Sequence, residues 1–251
     1  GQFFSAADGI EHARRMIAQG ADILDIGGES TRPGATPVSE FDEILRVVPL
    51  IEAIRKASDI PISIDTMKPG VARAAIKAGA TIWNDVAALR FSPQAPEVAA
   101  ELGCEVVLMH MLGEPGTMQD APRYDDVVAE VEAFLLARAF TAMAAGVAKE
   151  KIWLDPGIGF GKTLEHNLAL LAALPRFVAL GYPILLGASR KRFIAGIDPS
   201  AHEAGDRLGG SIAAHLVGAL AGVAAVRVHD VRDTVQALEV LAAIRSVAPT
   251  T

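Results

Sequence analysis

Seven short apolar runs recur along the chain, each ending in polar or glycine residues and each followed by an amphipathic stretch with apolar residues three and four apart. The runs span 21–28, 61–65, 81–86, 105–111, 151–156, 182–188 and 224–228. They are nearly all apolar rather than alternating, the pattern of parallel strands covered on both faces. Parallel neighbours need a crossover, which the intervening helical stretches supply, at 5–19, 38–57, 68–78, 94–102, 123–146, 164–180, 203–221 and 231–247. Ser5 with Asp8 and Ser39 with Asp42 stand at capping-box spacing, and Pro69 sits near a first turn. Gly20, Gly79, Gly103, Gly146, Gly181 and Gly222 fall where a helix hands over to the next strand, which suits a left-handed cap.

Eight helices and seven strands that begin with a helix come one strand short of a closed (β/α)8 TIM barrel, in which a strand comes first. The expectation is a TIM barrel of the α/β class whose opening strand is absent from this sequence, with residues 1–4 as the tail of the loop that would follow it. The competing architecture is an open doubly wound sheet. No linker rich in Pro, Gly or Ser divides residues 1–251, so one domain is expected. A hydrophobic share of 51% against 21% charged residues supplies a large core and excludes a disordered chain. A single Cys excludes a disulfide scaffold and a Cys-based zinc site. The sequence contains neither an 18-residue uncharged apolar run nor a basic-then-apolar signal start, which argues against a membrane partner or export and for a cytoplasmic address. A formal charge of −7 argues against broad binding of nucleic acid or anionic lipid, so any bound anion must meet a local cluster of cations.

Working residues of parallel barrels lie at the carboxyl ends of the strands and in the loops beyond them. Here those positions carry Asp25 with Gly27 to Arg32, Asp65 and Thr66, Asn84 and Asp85, Met109 and His110, Asp155, Ser189 to Lys191, and Arg227 to Asp230. Asp65, Asn84 and Asp155 offer acceptors and an amide suited to a flat heterocycle bearing N–H donors beside a carbonyl. Lys191 can donate to a ring carbonyl or ring nitrogen. Arg227 and His229, two apart on one strand, point the same way and suit a phosphate-type anion, with Arg stacking on a ring as the other option. Arg32, Lys191, Arg227 and His229 would gather positive charge at one rim of a negative protein.

Several motifs admit other chemistry. The stretch GIGFGKT at 157–163 suggests a phosphate-binding P-loop, but the position that needs the first glycine holds Pro156. Asp65 with Asp155 could be a glycosidase pair, against which stands an aromatic content of only 5%. Lys191 could form a Schiff base, as in barrel aldolases. Cys104 reads as a small buried hydrophobe. His12, His166, His202 and His215 read as structural or solvated, while His110 is open between rim function and a satisfied hydrogen bond.

Seven motifs in order resemble the dihydropteroate synthase family of bacterial folate synthesis: DILDIGGESTRPGA at 22–35, ISIDT at 62–66, WNDV at 83–86, LMHM at 108–111, DPGIGFGKT at 155–163, GASRKRFI at 187–194 and RVHDV at 227–231. The resemblance runs from residue 1 to about 247. It implies condensation of 6-hydroxymethyl-7,8-dihydropterin diphosphate with 4-aminobenzoate, with Mg²⁺ as cofactor. By matching motif positions it implies that Asp65, Asn84, Met109, Asp155, Lys191 and Arg227 hold the pterin and that Arg227 and His229 hold the diphosphate. Thr31, Arg32, Pro33, Phe160, Ser189, Lys191 and Arg192 would shape the aminobenzoate pocket. Asp65, Asp155, Lys191, Arg227 and His229 are the implied catalytic set.

Family members also carry an asparagine and a Thr-Pro-Asp-Ser-Phe loop after their first strand, which supply a Mg²⁺ contact and part of a lid. Neither lies after Gly1, so no metal ligand is expected within this sequence. The family further implies a homodimer through late helices. Rival functions are a pterin-gripping corrinoid methyltransferase domain and a non-catalytic pterin binder.

Overall fold

A computed structural model describes residues 6–30, 36–113 and 116–247. Seven strands run in sequence order: β1 (Leu24–Gly27), β2 (Ile62–Asp65), β3 (Ile82–Asp85), β4 (Glu105–Met109), β5 (Ile152–Asp155), β6 (Leu185–Leu186) and β7 (Ala225–Val226). The α-helices are α1 (Ala6–Ala18), α2 (Glu40–Arg55), α3 (Pro69–Ala78), α4 (Ala95–Leu102), α5 (Val127–Ala144), α6 (Leu164–Ala172), α7 (Leu174–Val178), α8 (Arg192–Ile197), α9 (Leu208–Ala221) and α10 (Val231–Ser246). Strands β1 to β5 pair parallel in order, and β6 pairs parallel with β7. The two sheets join where Leu154 bridges Ile184 and the Leu154 N–H donates to the Pro183 carbonyl at 2.9 Å.

The sheet curls. At roughly 4.8 Å per strand step, a flat sheet would hold β7 about 24 Å from β2. Arg227, just past β7, nevertheless donates to Asp25 of β1 at 2.5 Å and to Asp65 of β2 at 2.8 Å. Both ends of the strand series therefore face one axis with the helices outside, which is the TIM-barrel arrangement the alternation predicts.

Register divides the two faces. Leu24, Ile62, Ile64, Trp83, Val106, Leu108, Ile152 and Leu154 point outward, are almost wholly buried and belong to one apolar cluster with the helices. Asp25, Asp65, Asn84, Met109 and Asp155 occupy the alternate positions and point inward, toward the strands' carboxyl ends. Burying about eight large side chains on the outer face anchors that inner ring, since a one-residue slip would exchange the faces.

All seven predicted strands are present, each shorter than its apolar run. Ser39 caps α2, accepting from the Asp42 N–H at 3.1 Å, and Pro69 opens α3. The six handover glycines all have positive φ. Ser5 and the loop tail at residues 1–4 lie outside the described residues. The helix predicted over 164–180 is broken at Ala173 because Pro175 can enter only a new first turn, and it becomes α6 and α7. Its start is also stapled by Thr163 and His166, which cap each other. Helix α8 has no counterpart among the predictions, being only six residues long. The stretch expected from 123 begins at Val127, where Asp126 accepts from the Val128 and Ala129 N–H groups.

Leu154 joins the core to the bridge between the two sheets and is fully buried. Leu154→Ala is expected to lower unfolding free energy by about 2–5 kcal/mol, measured by urea denaturation. A loss below about 1 kcal/mol would contradict that placement.

Candidate functional site

Asp65 and Asn84 are cross-strand partners on β2 and β3, as are Met109 and Asp155 on β4 and β5, so four predicted residues stand side by side on the inner rim. Burial pushes Asp65 up to about 7, Arg227 opposing and the carboxylates of Asp25, Asp85 and Glu43 reinforcing it. Burial likewise raises Asp155, whose Oδ1 accepts from the Gly157 N–H at 2.7 Å while Lys191, Lys162 and Arg227 pull the other way. These are acceptors held at an energetic cost, as the acids of a binding site are.

Arg227 is already paired within the protein. Its guanidinium is engaged with Asp25 and Asp65 and is held strongly in the charged form, Asp25 contributing most. Its side chain remains about half exposed, so one face is still open to a ligand. Asp25, noted at a strand end without a role, is thus the partner that orients it. Asp25 Oδ1 is buried with no hydrogen-bond partner.

On the neighbouring rim, Ser189 is buried, its Oγ 3.0 Å from His229 Nδ1 and accepting from the His229 N–H at 3.2 Å. The link is braced by Arg190, whose side chain donates to both carboxylate oxygens of Asp230 at 2.9 and 2.5 Å. Arg190 adopts φ 57°, with its N–H given to Ser211 Oγ and its carbonyl accepting from Arg207. This kinked, clamped residue turns Ser189 and Lys191 to the mouth while its own side chain ties β6 to β7. Lys191 Nζ lies 4.1 Å above the Phe160 ring, and Arg192 is exposed at the first position of α8. Thr31, Arg32 and Pro33 lie outside the described residues.

The GIGFG segment is a packing device, as its failure to match a P-loop implied. A Cβ at Gly157 (φ 68°) would lie 1.9 Å from the His110 carbonyl oxygen, so the loop after β5 rests directly on the end of β4. Ile158 turns into the core, whereas Phe160 packs on a small cluster of Val86, Met109, Met111 and Met118 at the mouth. Gln119 and Tyr124 hold the carbonyls of Gly159 and Gly161 at 2.6 and 2.8 Å.

Three sequence readings change. Asp85 belongs to the outer face: fully buried, it accepts from the Ala87 and Leu89 N–H groups at 2.7 Å each, and burial raises it to about 6. His110 resolves as a buried, neutral ring, pushed down to about 3 by burial and 3.0 Å from Lys162 Nζ. Lys162, set aside with the P-loop match, is buried behind the mouth. Cys104 is a buried hydrophobe as read, its thiol pushed up to about 11 by burial. Among the described residues no three His, Cys, Asp or Glu side chains gather as a metal cage.

Comparison with known proteins shows the family and the fold. A family model described as pterin binding enzyme matches residues 1–229. The dihydropteroate synthase of Escherichia coli (strain K12) is 48% identical over 245 residues, covering 96% of this chain and 85% of that protein. The structure of Xanthomonas albilineans dihydropteroate synthase with 4-aminobenzoic acid superposes with a TM-score of 0.92 at 48% identity, over 99% of this chain and 88% of that one. The same enzyme in complex with 7,8-dihydropteroate gives 0.89 at 45% identity, over 99% and 88%.

Because Arg227 is the main influence holding Asp65 down against burial, Arg227→Met is expected to move the Asp65 titration upward from about 7. Carboxyl-carbon NMR measures it, and an unmoved midpoint would show that the pair does not form in solution.

Proposed function

The chain belongs to the pterin-binding enzyme family, and from that premise we propose that its rim performs the dihydropteroate synthase reaction. A 6-hydroxymethyl-7,8-dihydropterin diphosphate and 4-aminobenzoate give 7,8-dihydropteroate and diphosphate. The observation that carries this reading is the side-by-side placement of Asp65, Asn84, Met109 and Asp155, with Lys191 and Arg227 on the same rim. Few ligands need two buried acids, an amide and two cations within one apolar-floored mouth; a pterin bearing a diphosphate does.

Asp65, Asn84 and Asp155 accept and donate to the edge of the ring, Lys191 donates to its carbonyl side, and Met109 with its apolar neighbours lines the pocket. The open face of Arg227 stacks on the ring, and Arg227 with His229 holds the diphosphate. The carbon–oxygen bond to the diphosphate breaks first, the electron pair leaving with the diphosphate. Positive charge then spreads into the electron-rich dihydropterin, favoured by the adjacent carboxylates. The aromatic amine attacks the activated carbon and loses a proton to solvent. Phe160, Ser189, Lys191 and Arg192 form the aminobenzoate side.

Mg²⁺ suits this donor set as a companion of the diphosphate, because it commonly binds through one or two carboxylates together with substrate phosphates. Asp25 Oδ1, a buried carboxylate oxygen without a hydrogen-bond partner, is the oxygen that would hold such an ion. The ion would there neutralise part of the departing charge.

Two identical chains pair through the late helices, where Val217 and Leu220 of α9 and Val240 and Ile244 of α10 are exposed. No helix among the described residues is long and apolar enough to cross a membrane, and the reading places the enzyme in the cytoplasm.

Incubating the purified chain with both substrates and Mg²⁺ is expected to release diphosphate and form dihydropteroate. Pterin binding without release would instead support a non-catalytic binder. Lys191→Ala and Arg227→Ala are each expected to cut turnover by about 10²- to 10³-fold, the scale of losing one transition-state contact. Near-normal rates would refute their roles.

A further inference from the structure

Lys162 is a buried cation that the steps above leave unused. Its Nζ donates to the Phe160 carbonyl at 3.0 Å and the His110 carbonyl at 3.4 Å, and stands 3.0 Å from His110 Nδ1. Among the described residues no carboxylate lies within 4.0 Å of it. Burying an ammonium among neutral acceptors is costly, and a methionine of similar length would avoid that cost, so packing alone does not account for the residue.

Its partners show what it arranges. The Phe160 carbonyl is held by Lys162, while the Phe160 ring meets both the Lys191 ammonium and the methionine cluster. Resting on the functional reading above, we infer that Lys162 is a positioning residue for the second substrate: it rivets Phe160 to the end of β4 and so sets the aromatic wall and the Lys191 ammonium against which aminobenzoate docks.

The protonation state enters through hydrogen-bond number. An ammonium has three N–H donors for these three acceptors, and neutral His110 can accept at Nδ1; a neutral amine has only two donors. The groups facing Lys162 are His110 from β4, Asp155 from β5 and Lys191 from the turn into α8. Behind His110 stand Arg90 after β3, Tyr124 before α5 and Phe134 within it, with His166 of α6 against Tyr124. Burial lowers Lys162 to about 7, Asp155 opposing and Lys191 adding to the fall. The ammonium thus has a donor for every one of these acceptors on the acid side, whereas on the alkaline side the neutral amine has donors for only two of them.

Initial rates and equilibrium pterin-diphosphate binding, measured on Lys162→Met and Lys162→Arg in the full chain, test this. Lys162→Met is expected to raise KM for 4-aminobenzoate about 10- to 100-fold, the scale of lost bonds to a charged group, with pterin-diphosphate affinity nearly unchanged. Lys162→Arg is expected to recover most of that loss and to move the alkaline limb of kcat/KM for aminobenzoate to higher pH, because a guanidinium does not titrate there. A folded Lys162→Met with unchanged KM, or a limb unmoved in Lys162→Arg, overturns the inference; the arginine variant decides it if the methionine variant does not fold. No product from the unaltered chain overturns the functional reading and this inference with it, whereas normal turnover with an unmoved KM overturns this inference alone.

Discussion

Arg227 meets two carboxylates that belong to the far end of the strand series, and this contact ties the fold to the chemistry. Its bonds to Asp25 and Asp65 require the sheet to curl, because no side chain spans the width of a flat one. The same bonds keep two inward-facing acids tolerable in a confined space. Without the guanidinium, Asp65 and Asp25 would repel each other within a poorly solvated mouth. Closure of the strand series and pre-organisation of the site are one interaction seen from two sides.

Stability and function are assigned to opposite faces of the same strands. Outward residues such as Ile62, Ile64, Trp83 and Leu108 pack against helices and fix register. That register then dictates that Asp65, Asn84 and Asp155 point inward, where burial disfavours their charged forms. The price is met locally: the Gly157 N–H at Asp155, the guanidinium at Asp65, and a ring of cations in a protein of net charge −7. Such a mouth would suit the ligand proposed above, whose ring N–H donors would meet carboxyl groups that burial disfavours.

Much of this was legible in the sequence. Seven unalternating apolar runs specify parallel strands, and the polar residues that end them specify the rim, since strand ends are the one place where a buried run meets solvent. What stayed hidden depends on direction and contact. Asn84 and Asp85 are adjacent, yet one faces the mouth and the other caps a turn beneath the helices, a distinction set by a register that no single strand carries. Arg227 reads as a free cation because its carboxylate partners lie about 160 and 200 residues away in sequence. Lys162 was obscured by a glycine pattern that resembles a phosphate loop. Gly157 serves close backbone packing on His110 and Gly161 on Leu112, and only the three-dimensional contacts show this. The kink at Pro175 was readable and was overrun by a strong helical period on either side.

The account holds that a pterin is gripped by an ionised Asp65 whose pKa, near 7 in the empty site, falls when ring N–H groups donate to it. Calorimetry of a non-reactive pterin at pH 7, repeated in buffers of different ionisation enthalpy, counts the protons exchanged on binding. Net proton release is predicted, as linkage requires for an acid whose raised pKa falls on binding, and that release should vanish in Asp65→Asn. Proton uptake, or tight binding with no proton exchange, would contradict it.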